Sequence, residues 1–313
     1  MSFRCAGASL ERDEPVVGSA STVRAFLLVE NAGPWGVEAL RDARLPEEVK
    51  DGLRSRAARA GVRVLLIRRH RGGPTGPGLR VFAAYADPAT PWLETTTVPV
   101  PERLLDVDLE ALGRGRSPGL IPSDRPVFCV CTHGRHDTCC AELGRPTANA
   151  LAASHPEESW DVSHIGGDRF AANVLVLPDG LYYGRVSAAA APALAAGHLA
   201  GHLDLDRLRG RSGFGFSVQA AEVALRREVG ETRADAVRLV SASRSGADTS
   251  VRLDVDGTAY DVLVRRTDSG QQHQLTCKAR RLDPIPVYDV LEVSPASRGA
   301  ASTGPASRPA PGA

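Results

Sequence analysis

Four cysteines, Cys129, Cys131, Cys139 and Cys140, fall within twelve consecutive residues of Phe128-CVCTHGRHDTCCAELGRP-Thr147, and a second element, Ser163-HIGGDRFAAN-Val174, sets His164 and Asp168 on either side of a Gly-Gly pair. Thiolates at a strand end and in the loop after it, joined by an imidazole from a later turn, can converge on one metal centre. Val127-Phe-Cys-Val-Cys131 reads as a strand, and on a strand residues 129 and 131 share a face. Cys131, beside the loop, is therefore the better ligand, and Cys129 sits one step deeper towards the core. Cys139 and Cys140 are neighbours that should diverge in direction, so one of the two is expected to bind.

Blander roles are weighed against these. Free cysteine is among the most buried residue types, so Cys5, Cys129 and Cys277 read as packing residues. His133, His136 and His155 read as loop or surface residues, and His198 and His202, four apart, as partners on one helix face. Gly166-Gly167 lacks the further Gly or Lys of a phosphate-cradling loop. Cys131-Thr-His133 begins a Rieske pattern, but no C-x-x-H follows. The cysteine spacings are not those of a regular structural zinc site, and no C-x-x-C of a thiol–disulfide enzyme is present, only the vicinal Cys139-Cys140 pair.

The elements that must hold these residues follow from periodicity and turn chemistry. An apolar run, Ala25 to Val29, breaks at Asn31-Ala-Gly-Pro34; Pro46 opens a helix whose apolar positions Val49, Leu53, Ala57 and Ala60 recur until Gly61. Strands are expected over Val62 to Ile67 and Leu79 to Tyr85. After a Gly-, Pro- and Arg-rich boundary at 113–126 the order repeats: strand Val127 to Cys131, a helix with Pro146 at its start, then Asn173 to Leu177 and Leu181 to Val186 around the turn Pro178-Asp-Gly180. Helices are expected from Ala191 to about Leu203 and from Val218 to Val229. Val237 to Ser241, Val251 to Val255, Tyr260 to Arg265 and Gln271 to Cys277 alternate like an antiparallel meander, with Asp256-Gly257 as a hairpin turn.

The fold expected is thus α/β, with two thioredoxin-like units and a small C-terminal antiparallel β meander. The divisions are a flexible N-terminus over 1–20, an N-terminal thioredoxin-like unit over 21–115, a second thioredoxin-like unit that carries the grouped cysteines over 124–230, a β-rich module over 235–293 and a disordered tail over 294–313.

Composition narrows the function. Over 313 residues, 38 Lys and Arg against 37 Asp and Glu leave a formal charge of +1, which argues against nucleic acid as a partner. The longest apolar run, Val186 to Ala200, is mostly Ala and is broken by Ser187, Pro192, Gly197 and His198, short of the roughly 20 apolar residues that a membrane helix needs. No secretory signal is read at the N-terminus, so the cytoplasm is the expected compartment, where six cysteines point to metal or redox chemistry rather than disulfides.

CTHGRHDTCCAELGRP and SHIGGDRFAANVLVLPDGLYYGR closely resemble the sucrase/ferredoxin-like family, relatives of thioredoxin-like [2Fe-2S] ferredoxins. The resemblance is specific over about 127 to 186 and looser through FLLVENAGPWG, RVLLIRR and FGFSVQAAE. It implies a [2Fe-2S] cluster held by a C-x8-C pair and an H-x3-H pair flanking Gly-Gly. Cys131 and Cys140 match the first pair and His164 opens the second. Asp168 stands where the second histidine would be, so the fourth ligand is Asp168 or, as alternatives, Cys139, Cys129 or solvent. The implied role is one-electron transfer between a redox donor and an acceptor protein. The competing reading is a zinc-stabilised interaction protein. Sucrose hydrolysis, suggested by the family's name, finds no pair of opposed carboxylates and no aromatic platform, since Trp35, Trp92 and Trp160 are scattered.

Overall fold

The computed structural model describes residues 2–70 and 76–296. Its first element is a short helix, α1 (Cys5–Glu11), where the sequence reads as polar and irregular; burial of Cys5, Ala6 and Ser9 fastens it to the body. Strand β1 (Ala25–Glu30) is buried along its whole length, because both faces of the sheet are covered there. Helix α2 (Glu47–Ala60) ends as expected at Gly61, whose φ of 67° suits glycine at a helix C-terminus. Strands β2 (Val62–Arg68), β3 (Leu79–Tyr85) and β4 (Trp92–Val98) follow, then helix α3 (Leu109–Gly113) and a two-residue strand, β5 (Ile121–Pro122). The second half comprises β6 (Val127–Cys131), α4 (Thr138–Ser154), β7 (Ser159–Val162), β8 (Val174–Leu177), β9 (Leu181–Tyr183), α5 (Ala191–Leu199), β10 (Leu208–Arg211) and α6 (Phe216–Val229). Strands β11 (Val237–Ser245), β12 (Asp248–Val255), β13 (Thr258–His273) and β14 (Asp283–Pro295) complete the chain.

One ten-stranded sheet, ordered β10-β9-β8-β6-β7-β2-β1-β3-β4-β5, carries everything up to residue 211, and β11-β12-β13-β14 form a separate antiparallel sheet. A single order occurs twice in the large sheet, β2-β1-β3-β4 and β7-β6-β8-β9. In each case the central strand runs parallel to its helix-connected neighbour and antiparallel to the next strand. The halves meet edge to edge where β2 pairs with β7. Their shared sheet face is one core, in which Phe26, Leu28 and Ile67 pack with Cys129, Trp160 and Leu175. Trp160 meets Phe82 edge-on at 5.6 Å. Full burial of such side chains contributes about 1.5–3 kcal/mol each, so the halves are coupled through their core despite the linker between them. That linker, 113–126, itself adds β5 to the edge of β4.

Several elements escape periodicity for identifiable reasons. Strand β7 reads as polar because it buries Asp161, whose carboxylate is met by Arg68 Nε at 3.3 Å and His70 Nδ1 at 2.9 Å. Strand β10 carries two buried arginines, Arg209 and Arg211. The expected strand over Gln271 to Cys277 is instead the end of β13 and a loop, and the fourth strand of the small sheet is β14. This strand runs to Pro295, inside the expected tail; residues 297–313 lie outside the described residues. Helix α6 packs Val218, Ala221 and Leu225 on the small sheet's Val251, Leu253, Val262 and Val264. Among the described residues no helix is long and apolar enough to cross a membrane.

Candidate metal centre

Strand β6 delivers Cys131 at its last position, and after the six residues 132–137 the chain turns into α4. The helix begins at Thr138, not near Pro146 as expected: Asp137 caps it by accepting the Cys139 N–H at 2.9 Å. Pro146 lies inside the helix on its exposed side, where water can satisfy the carbonyl it leaves unbonded. Cys139 and Cys140 therefore occupy the first helical turn. Gly144 sits one turn further along, and a Cβ there would stand 2.1 Å from the Cys131 carbonyl oxygen. Its hydrogen lets α4 close on β6, which brings Cys140 against Cys131 in the shared core.

The third segment is the connection from β7 to β8. Ser163 Oγ accepts the Leu66 N–H at 3.0 Å, and Arg63 donates to the His164 carbonyl at 2.9 Å. Both glycines adopt positive φ, 96° at Gly166 and 79° at Gly167. The close approach they permit is filled by protein: Ser21 Oγ lies against Gly166 and the Arg209 guanidinium against Gly167. Arg209 is buried and donates to the Gly166 carbonyl at 2.9 Å and to Asn173 Oδ1 at 2.8 Å, while Asn173 donates to the Gly167 carbonyl. The turn is thereby fixed, and Asp168 projects inward with 3% of its side chain exposed.

Four side chains meet there. Cys131 and Cys140 pack in the same buried core. Cys140 Sγ donates to Asp168 Oδ1 at 3.1 Å, and His164 Nδ1 lies 2.9 Å from that same oxygen. His164 Nδ1 is buried and, despite this proximity, has no hydrogen-bond partner in good alignment. A buried nitrogen without an aligned partner, beside a carboxylate that also meets the Cys140 thiol, is a donor set that a metal ion would satisfy. The Cys140 hydrogen bond lowers the Cys131 thiol below its ordinary pKa against the effect of burial, while the same contact and burial push Cys140 up. Burial pushes Asp168 up, but the His164 contact and charge and the Cys140 contact outweigh it, and the carboxyl lies below its usual range.

Two histidines read as surface residues belong to this site. His136 stacks on His164 with centroids 3.7 Å apart and brings Nε2 to 3.7 Å from Asp168 Oδ2, so His136, His164 and Asp168 form a group able to hold a metal. The sequence signal was its place inside the C-x8-C loop. His133 is buried, with burial lowering its pKa. Its Nδ1 accepts the His164 N–H at 3.2 Å, which leaves the proton on Nε2 to donate to the Gly36 carbonyl at 2.7 Å. The centre opens on its imidazole side, where His136 and His164 are 34% and 28% exposed.

The other candidates go elsewhere. Cys129 packs in the core, where burial pushes its thiol up. Cys139 turns away from Cys140's partners towards Cys5 and Cys277. Two arginines next to these segments in sequence are engaged elsewhere: Arg169 pairs with Glu14, and Arg145 lines a surface pocket with Arg68, Arg69 and His70.

Fold and site together define a mixed α/β protein with a buried Cys/Asp/His centre at the end of a central strand. The family model for sucrase/ferredoxin-like proteins matches residues 16–210, and the chain belongs to that family. No curated protein and no solved structure matches it.

Proposed function

We propose that this chain holds one [2Fe-2S] cluster through Cys131, Cys140, His164 and Asp168 and passes single electrons between a donor and an acceptor protein. The observation that carries the reading is the convergence of two thiols, a carboxylate and an unsatisfied imidazole nitrogen, brought from three segments to one buried point. Bound there, the cluster would supply the one-electron chemistry. The chain's own residues do the rest. Cys140 and Asp168, now hydrogen-bonded to each other, would both serve as ligands; the core behind Cys131 excludes water; His133 orients His164 through its backbone; and the partly exposed imidazoles face the surface on which a redox partner would dock. A carboxylate in place of a second imidazole adds negative charge and lowers the potential.

The repeated strand order, with the metal donors at the end of the central strand of the second unit, supports thioredoxin-like units of the ferredoxin type. The near-neutral charge supports protein partners over nucleic acid. The compartment that fits these thiols is the reducing cytoplasm.

The test is visible absorption and low-temperature EPR of anaerobically purified full-length protein, with iron and sulfide assayed. Two irons and two sulfides per chain with a reduced S = 1/2 signal are expected, lost in Cys131→Ala and His164→Ala; an altered signal in Asp168→Ala identifies the fourth ligand. Protein that binds neither iron nor sulfide after anaerobic reconstitution overturns the reading in favour of a non-redox structural role.

A further inference from the structure

A second group of donors lies behind the first and shares none of its residues. Cys5, Asp137, Cys139 and Cys277 each offer one ligand atom within 4.8 Å of all the others. Cys139 Sγ is 3.4 Å and Cys5 Sγ 3.6 Å from Cys277 Sγ, and Cys5 Sγ is 3.6 Å and 3.7 Å from the two Asp137 oxygens. Zn–S bonds of about 2.3 Å and Zn–O bonds of about 2.0 Å at tetrahedral angles separate sulfurs by roughly 3.7 Å and sulfur from oxygen by roughly 3.5 Å. Three of the six pairs stand close to that spacing, and all six lie within 4.8 Å.

We infer that Cys5, Cys139, Cys277 and Asp137 form a closed, four-coordinate structural zinc site. Three of the four are buried and Cys277 is half-buried, which leaves no open coordination position of the kind a catalytic zinc keeps. The carboxylate is oriented by backbone donors: Oδ1 accepts the Cys139 N–H at 2.9 Å and Oδ2 the Cys277 N–H at 2.6 Å. Such outer contacts fix a ligand before the metal arrives. Binding one Zn²⁺ replaces the three thiol protons, which pass to solvent, with three zinc–sulfur bonds.

The ligands come from α1, the start of α4 and the loop between β13 and β14, so the zinc would tie three distant stretches together. Cys5 and Cys277 lie outside the matched residues 16–210, whereas Asp137 and Cys139 lie within them. Alternation along one short segment keeps the two centres apart: His136 and Cys140 face the first, Asp137 and Cys139 the second.

The test is metal analysis of full-length protein purified without chelators. One zinc per chain is expected, falling at least tenfold in Cys5→Ser and Cys277→Ser, while the iron content and visible spectrum of the first centre persist. The reverse is expected of Cys131→Ala, which keeps its zinc whether or not the first centre holds iron. Cobalt exchange should give thiolate-to-metal charge-transfer bands that those serine variants lack. If the variants precipitate, chelator titration of the wild type reads the same site, with zinc release exposing Cys5, Cys139 and Cys277 to alkylation. Zinc absent after incubation of reduced protein with Zn²⁺, zinc retained by both serine variants, or a disulfide among these cysteines in anaerobic protein overturns the inference.

Discussion

The two halves of the large sheet share a strand order and differ in what stands at the end of the central strand. In the first half, β1 ends at Glu30, and sixteen residues, 31–46, separate it from α2. In the second, β6 ends in Cys131 and only residues 132–137 precede α4, with two cysteines in its first turn. Short connection and thiols together place Cys131 and Cys140 in contact; neither would do so alone. The longer loop of the first half is used instead as the wall of the second half's site. Gly36 accepts the His133 hydrogen bond, and Trp35 meets the His133 ring edge-on at 5.8 Å. Topology fixes where a site can lie, while loop length and residue type decide which of two equivalent positions becomes one.

The strongest way to break this comparison is through the helix that each half lays on its sheet. Gly144→Ala puts a methyl 2.1 Å from the backbone oxygen of Cys131, which cannot yield without moving α4 off β6. Gly52→Ala in α2 meets only the tip of Leu105 at 2.7 Å, a side chain that can rotate away, and it gains helix propensity of up to about 1 kcal/mol. Gly144→Ala is expected to cost about 3 kcal/mol or more, allowing for overpacking against fixed backbone, and to abolish metal binding. Gly52→Ala should stay within about 1 kcal/mol of wild type with metal binding intact. Urea unfolding and iron content check both. Equal losses in the two variants would show that close approach of helix to strand is not what sets the second half apart.

Much of this was legible beforehand. The boundaries of β3 and β6 and the end of α2 at Gly61 follow from apolar periodicity and turn residues, whereas the choice of Cys131, Cys140, His164 and Asp168 rests on the resemblance to the sucrase/ferredoxin-like family. What escaped had polar character paid for by distant partners. Strand β7 hides behind Asp161 and β10 behind Arg209, both satisfied by residues far along the chain. Cys5 and Cys277 do pack in one buried cluster, as their residue type suggests, but nothing in a one-dimensional spacing reveals that they meet each other 272 residues apart. His136 reads as a loop or surface residue and does lie in the 132–137 loop, partly exposed, but its stacking on His164 has no sequence signature. The start of α4 was misplaced because Pro146 is a stronger local signal than the Asp137 cap, although the cap is what operates.

A smaller effect separates two glycines that both hold positive φ. At Gly61 an added Cβ meets nothing within 4 Å, whereas at Gly167 it would press on Arg209, which is held by Ser19, Gly166 and Asn173 and cannot swing aside. Gly61→Ala should cost about 1 kcal/mol for the left-handed conformation alone. Gly167→Ala should cost about 2–3 kcal/mol, adding overpacking to the same conformational term, and it should also perturb the first centre's EPR signal through Asp168. Thermal unfolding with EPR distinguishes them; a Gly167→Ala protein with wild-type stability and signal would remove Arg209 from the architecture of the site.

The smallest effect is confined to acid and concerns charge rather than shape. In the metal-free protein the Asp168 carboxyl lies below its ordinary pKa of about 3.9, because the His164 contact and charge outweigh burial. Asp179, in the turn between β8 and β9, is likewise lowered against burial by His198, whose Nε2 lies 3.4 Å away. In the window between ordinary and lowered values the native state binds fewer protons than the unfolded chain, so stability rises with pH there. The contribution is complete above about pH 4 and is lost as the pH falls through the folded-state value. Asp168→Asn and Asp179→Asn should each flatten the decline of the urea midpoint below about pH 4, at the expense of stability near neutrality. Because both pairs belong to the second half, hydrogen exchange in acid should open β8 and β9 before β1 and β3; the opposite order would place the acid-sensitive contacts in the half that carries no metal donors.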